Sequence, residues 1–360
     1  MTKVYCIGSG VVTPVGNTPS AVYSAVLEGR SALCMQEGWP EPWLGSLLER
    51  SGFEGSSFFS HIALKAARQA IADAGINMPS QRTGLVISTI KGNVEQLSNA
   101  DVSLAADARS LADSLGITSA PIVVSNACIS GLAALVQGMR MIRSGNYDDV
   151  IVVGAEVQSR FIVSGFQSLK ALSQRPCKPF DADRDGLNLG EAAAAMVLSN
   201  RPGKDSWELV DGAVRNDANH ISGPSRTGEG SYNALRYVLK SADKNELAFV
   251  NVHGTATRYN DEMESIAIDR AGLLDVPVNA LKGIFGHTMG AAGILESIVS
   301  MLALDNGVVL PTRGYENCGV SRPVNVSASA RPASGNSFIK LLSGFGGVNG
   351  ALLFRKGGER

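Results

Sequence analysis

Three side chains in this sequence stand where the local pattern exposes reactive groups: Cys128 in VVSNACISGLAAL, His253 in NVHGTAT and His287 in IFGHTMG. Cys128 separates an apolar, strand-like run from a helix-like run. A thiol at a helix start faces unpaired backbone N–H groups and the positive end of the helix dipole, which favour thiolate over thiol. Such a thiolate attacks thioesters. Free cysteine is also among the most buried residue types, so a structural core thiol fits the local sequence equally well. Only four histidines occur, His61, His220, His253 and His287, and two of them sit at element ends in glycine-rich surroundings. A lone histidine there is more often structural. A thiol with two imidazoles, however, supports acyl transfer: the thiolate attacks a thioester while neutral imidazoles donate hydrogen bonds to an enolate oxygen on a second substrate.

The elements that position these groups follow from periodicity. Short β-branched runs (KVYCIG, GLVIST, PIVVSNA, DDVIVVGAE, AAAAMVLS) alternate with alanine-rich helical stretches such as HIALKAARQAIADAG and GLAALVQGMRMIRSG. That is the pattern of an α/β protein with buried sheets. The second half repeats the theme with LAFVNVHG, DEMESIAIDRAG, GAAGILESIVSMLALDNG, FIKLLSGFGG and NGALLFRK. NACISGLAAL and GHTMGAAGIL share one design: a reactive side chain, two residues, a glycine, then a small-residue helix. This predicts an internal duplication with Cys128 and His287 at equivalent helix starts. The polar, turn-rich segment 201–206 (RPGKDS) is the best boundary, giving halves 1–200 and 201–360.

Composition narrows the partners. Thirty-two Lys+Arg against 33 Asp+Glu give a net charge of -1, so no global field advertises nucleic acid or a membrane surface. No window approaches the ~18 apolar residues of a membrane span, and MTKVYCIGSG reads as strand and turn, which predicts a soluble, cytoplasmic protein. Five scattered cysteines without CxxC spacing indicate neither disulfides nor zinc. Asp181, Asp183, Asp185 and Glu191 in DADRDGLNLGE suggest a metal loop at first sight, but Arg184 and Leu187 intrude and the order is wrong for an EF-hand.

Five blocks, VSNACISGLAAL, FDADRDGLNLGEAAAAMVLS, VNVHGTATRYNDEMES, LKGIFGHTMGAAG and SGFGGVNGALLF, resemble in order the signature blocks of the β-ketoacyl-acyl carrier protein synthases, the elongating condensing enzymes. The resemblance spans nearly the whole chain. It implies a thiolase-like αβαβα five-layered sandwich of two similar halves. It also implies that Cys128 takes the acyl chain from acyl carrier protein, and that His253 and His287 hold the enolate formed when malonyl-carrier protein loses carbon dioxide. By the same resemblance the backbone N–H groups of Cys128 and Phe345 form the oxyanion hole, and Phe345 gates the acyl chain. Lys282 matches a buried lysine, with Glu264 as its expected partner in a mainly structural pair. Thr255 and Thr257 match the pair that binds the phosphopantetheine arm, and Phe166 an aromatic bordering the acyl pocket. No metal or cofactor is implied beyond the carrier's phosphopantetheine, and the family forms dimers, homo or hetero.

The chain also departs from the pattern. It is shorter than typical elongating synthases, with the loss falling in segments 29–45 and 100–118. Asn126, Ser343 and Val348 replace a common Thr or Ser, an aromatic and a common Thr. These changes fit polyene or polyketide synthesis as well as fatty-acid elongation. SGFGGVNG has no second cysteine, which disfavours a thiolase, and GHTMG has His where initiating synthases have Asn. Two rival readings remain: an active subunit working with a chain-length factor, and a non-catalytic subunit that shapes the acyl chain, which Cys128 disfavours.

Overall fold

Alternating side chains along the apolar runs send odd and even residues to opposite faces of a strand, and here both faces are covered. The computed structural model describes residues 2–39, 41–55, 57–76, 80–99 and 102–357. Its main sheet consists of β1 (Tyr5–Val12), β2 (Thr83–Ser88), β3 (Ile122–Val124), β4 (Asp149–Glu156), β5 (Ala192–Ser199), β6 (Trp207–Asn216), β7 (Leu247–Asn251), β8 (Val278–Asn279), β9 (Ser337–Gly344) and β10 (Val348–Lys356). The spatial order is β8-β7-β9-β10-β6-β1-β5-β4-β2-β3.

The expected duplication is visible in this order. Outward from the centre the first half pairs β1–β5 and β5–β4 antiparallel, then β4–β2 and β2–β3 parallel. The second half pairs β6–β10 and β10–β9 antiparallel, then β9–β7 and β7–β8 parallel. The halves join through β1 and β6, registered only at Tyr5 with Glu208 and Cys6 with Trp207.

The helices are α1 (Pro19–Leu27), α2 (Phe58–Ala74), α3 (Leu104–Ser114), α4 (Ser130–Arg143), α5 (Arg160–Ser168), α6 (Glu229–Val238), α7 (Arg258–Arg270), α8 (Lys282–Phe285) and α9 (Ala292–Asp305). Helices α2 and α3 cover the first half through Leu85, Ile87, Ile151, Val153, Ala193 and Ala195. The alternate residues Val86, Val152 and Met196 face inward with Phe338, Leu352 and Phe354 of the second half, and α4 and α9 lie between them. Helices α6 and α7 cover Val250, Ile339, Leu341 and Leu353. The result is the α-β-α-β-α layering. Helix α9 is apolar nearly all round, as a helix between two sheets has to be.

The two central helices touch backbone to backbone at their starts. A Cβ on Gly131 would lie 2.7 Å from Gly290 O, and one on Gly293 would lie 2.3 Å from Leu132 N. The repeated small-residue design therefore serves a close crossing. Segment 29–45 contributes two short strands, Cys34–Gln36 and Trp43–Ser46, the latter pairing with Leu189–Gly190. Segment 100–118 is mostly α3; Pro40, Ala100 and Asp101 lie outside the described residues. Among the described residues no helix is long and apolar enough to cross a membrane.

Candidate active site

Strand β3 carries the chain to an elbow before α4. Ala127 sits at φ 47°, a strained conformation for a residue with a Cβ. Ser130 fixes the turn: its Oγ accepts the Asn126 N–H at 2.8 Å and donates to Ala127 O at 2.6 Å. Cys128 emerges from this elbow and is buried. Its ionisation differs from the sequence expectation. Burial pushes the Cys128 thiol up to about 11, outweighing the downward pull of Lys282 and of the Phe345 and Cys128 N–H groups. At neutral pH it is a thiol, because desolvation of the anion exceeds what the helix start returns.

His253 follows β7 and His287 precedes α9, and their rings meet edge to face with centroids 5.0 Å apart. Ligand atoms of Cys128, His253 and His287 all lie within 4.8 Å of one another. The sequence-predicted trio is therefore one cluster. Both imidazoles are held well below the usual histidine range, chiefly by burial and further by the positive charges of Lys282 and Lys340, with His287 adding to the effect on His253. They are neutral. His287 Nδ1 accepts the Met289 N–H at 3.2 Å, which places the ring proton on Nε2, and that nitrogen has no partner among the described residues. An unpartnered, buried N–H donor is what a developing oxyanion requires. The three side chains could bridge a metal ion by spacing, but the positive charges of Lys282 and Lys340 oppose a cation there.

The expected partner of Lys282 is corrected. Lys282 Nζ donates to Glu296 Oε1 at 2.9 Å and to His253 O at 2.6 Å. Glu264, on the outer helix α7, instead accepts the backbone N–H groups of His253 at 2.7 Å and Gly254 at 2.8 Å. Lys282 lies on the inner side, where α9 presents Glu296. The two acids thus hold the His253 peptide from opposite ends, Glu264 at its N–H directly and Glu296 at its C=O through Lys282.

A cavity of about 580 Å³ leads to the trio, and its wall includes Phe166, Thr255, Thr257 and Phe345. Thr255 and Thr257 hydroxyls lie 2.9 Å apart, so both point to one spot. Phe166 and Phe345 rings pack with centroids 5.9 Å apart. Behind Phe166 lies an apolar cluster with Trp43, Val94, Leu189 and Met289.

Residues 48–202 match the model of the β-ketoacyl synthase N-terminal domain, and residues 207–316 that of its C-terminal domain. The ketoacyl synthase alpha subunit of the tetracenomycin polyketide synthase from Streptomyces glaucescens is 31% identical, over 82% of this chain and 80% of its own. This chain belongs to the β-ketoacyl synthase family. The 3-oxoacyl-[acyl-carrier-protein] synthase 2 of Vibrio cholerae is 29% identical over 98% of this chain and 99% of its own. A ketosynthase from Xenorhabdus doucetiae, solved in complex with its chain length factor, superposes with a TM-score of 0.88 at 25% identity, covering 99% of this chain and 98% of that one.

Three buried charged residues of this β-ketoacyl synthase escaped the sequence reading. Glu156 ends β4 and accepts the N–H groups of Ile90 at 2.9 Å and Gly290 at 3.0 Å and the Thr89 hydroxyl at 3.1 Å. Burial raises it to about 7. Glu296 and Lys340 sit in otherwise apolar runs, AGILESIVSMLALD and SFIKLLSG. A charge inside such a run requires a buried partner, and that was the available signal.

Proposed function

We propose that this protein catalyses the decarboxylating Claisen condensation of an acyl thioester with malonyl-acyl carrier protein, giving β-ketoacyl-acyl carrier protein. The observation that carries the reading is the cluster of one buried thiol and two neutral imidazoles at the end of a largely apolar cavity. In the first step Cys128 Sγ attacks the acyl-carrier thioester. Its proton has to leave during attack; His253 takes it transiently and passes it to the departing carrier thiolate, since His287 already carries its proton on the cavity side. The carrier thiol departs and the acyl group stays on sulfur. In the second step the malonyl C–C bond breaks, carbon dioxide leaves, and the electron pair remains as an enolate whose oxygen takes hydrogen bonds from His253 and His287. Each such donor is worth about 3 kcal/mol in a dry site. The enolate carbon then attacks the acyl carbonyl, with the N–H groups of Cys128 and Phe345 as oxyanion hole, and Cys128 is expelled as a thiolate that takes a proton from solvent to restore the thiol.

Thr255 and Thr257 receive the phosphopantetheine arm, and Phe166 and Phe345 border the acyl chain. Lys282 positions His253. No metal or further cofactor takes part. The halves 1–200 and 201–360 supply nucleophile and imidazoles respectively, and the reaction runs in the cytoplasm on fatty-acid or specialised polyene or polyketide chains. The Xenorhabdus complex supports a second assembly, in which this chain is the active member of a heterodimer with a chain length factor; the first is a homodimer.

The test is mass spectrometry of the protein mixed with a panel of acyl-carrier proteins. One acyl group should appear on Cys128, and none on Cys128→Ala. His253→Ala should still be acylated but lose decarboxylation of malonyl-carrier protein. Acylation and condensation persisting in Cys128→Ala would sink the reading. Sedimentation with and without a chain-length-factor subunit decides the assembly.

A further inference from the structure

Beneath the two imidazoles lies a group of charges that the reaction scheme above leaves unused. Lys340 is on the inner face of β9, between Phe338 and Leu342 of the central core, and is fully buried. Its Nζ donates to Glu296 Oε2 at 2.5 Å, to Asn251 Oδ1 at 2.6 Å and to Val252 O at 3.1 Å. Glu296 Oε1 is taken by Lys282, itself fully buried. One carboxylate therefore stands between two ammonium groups, and the unit has one positive charge in surplus. A surplus charge away from water costs several kcal/mol and would be absent from a purely structural pair.

The unit is coupled to His253 at both levels. Lys340 holds Asn251 and Val252, the two residues before His253, while Lys282 holds the His253 carbonyl. Among the described residues, the other titratable groups around the imidazoles are Cys128 within 4.8 Å, Glu264 at the His253 N–H, Asp261 at the Thr255 N–H, Glu156 at the Gly290 N–H and, along the cavity wall, Lys170, Asp185, His220 and Arg258. Glu264 and Glu156 are both lifted to about 7, mainly by burial, so they leave the surplus uncancelled as pH falls below 7, the range in which an imidazole would otherwise protonate.

We propose that Lys340 is a positioning residue that completes a buried Lys282–Glu296–Lys340 clamp, whose surplus charge adds to burial in disfavouring a charged His253 or His287 and whose bonds fix the strand end carrying His253. The clamp makes the imidazoles hydrogen-bond donors that are uncharged at rest. Burial lowers the Lys340 ammonium to about 8, with Glu296 opposing the fall and Lys282 adding to it, so the surplus is present at pH 7. The proposal rests on the condensing reading only for its catalytic consequence.

The experiment follows the four histidines by NMR in protein labelled at the imidazole carbons, with the histidine side chain of a short peptide, titrating near 6.5, as reference. In the unmodified protein the His253 and His287 signals should not titrate between pH 8 and 5. Midpoints close to that of the peptide histidine would overturn the proposal without any variant. Lys340→Met should raise both midpoints by about one pH unit, the effect of removing one nearby charge. Lys340→Gln, which keeps a donor for Glu296, should do the same if the methionine variant fails to fold, and Lys340→Arg should leave the midpoints low. Identical behaviour of the neutral and arginine variants, including no titration down to pH 5 in either, would overturn the clamp. The acid limb of malonyl-carrier decarboxylation should move up with the midpoints in the neutral variants. If the midpoints move as expected while the unmodified protein decarboxylates nothing, the clamp stands and the condensing reading falls.

Discussion

Cys128 rests as a thiol because its burial outweighs the dipole and amide groups around it, and this sets how it responds to pH. Raising pH toward about 11 increases the thiolate fraction, so the rate of iodoacetamide alkylation at Cys128 should keep climbing between pH 8 and 10, close to tenfold per unit. Peptide mapping of the alkylated protein reads this directly, and a plateau before pH 9 would contradict it. The Lys282 pairing offers a second check. Glu296→Leu leaves two buried ammonium groups without a counter-ion and should cost about 3–5 kcal/mol in urea unfolding. Glu264→Gln replaces one of the two oxygens that accept from the His253 and Gly254 N–H groups and the Asn260 amide with an NH2 donor, and should cost about 1–3 kcal/mol. The reverse order would restore Glu264 as the lysine's partner. The thiol and both imidazoles were legible from residue type and place in the chain. Glu296 and Lys340 were not, because Lys340 meets Glu296 across 44 residues of chain and only the packed inner layer brings them together.

Helices α4 and α9 are the elements on which the site depends, one leading from the thiol and the other from His287. A Cβ at Gly293 would collide with Leu132 N on the facing helix, and no flexible side chain is there to yield. Gly293→Ala should therefore destabilise the protein by about 1–3 kcal/mol and slow condensation, because the two helix starts have to separate. Thermal unfolding together with acylation rate checks this; unchanged values for both would show that the crossing has slack. The likeness of NACISGLAAL to GHTMGAAGIL was enough to place Cys128 and His287 at equivalent positions. It could not show that the glycines of one copy face those of the other. Nor could the sequence show that Trp43–Ser46 pairs with Leu189–Gly190, since that ladder joins residues far apart in the chain.

At the level of the whole molecule, Glu156 ties the halves together, accepting a hydrogen bond from Gly290 at the approach to α9. Its carboxyl moves from an ordinary value of 4.5 up to about 7 on folding, so the folded state binds this proton more tightly than the unfolded chain. The stability it contributes is fully present below about pH 4.5 and is lost as pH rises through about 7. Glu156→Gln removes that dependence. The stability of the variant minus that of the unmodified protein should increase from pH 5 to pH 8 in urea titrations, whatever its constant offset; a difference that stays flat would refute the shift. The duplicated α/β plan was legible because periodicity and motif order survive in the sequence. The thinness of the join between the sheets was not, since Tyr5–Glu208 and Cys6–Trp207 are ordinary strand residues.

That thin join has a consequence for how the chain tolerates trimming. Two residue pairs cannot act as a ruler between the halves; the glycine crossing of α4 and α9 does that work from the inside. Peripheral segments hang outside this internal gauge. The alignment with the Vibrio cholerae enzyme runs over 414 positions against 360 residues here, and the deleted stretches leave the thiol and imidazoles within 4.8 Å of one another. Loops at the rim can be shortened or exchanged while the reactive centre keeps its calibration.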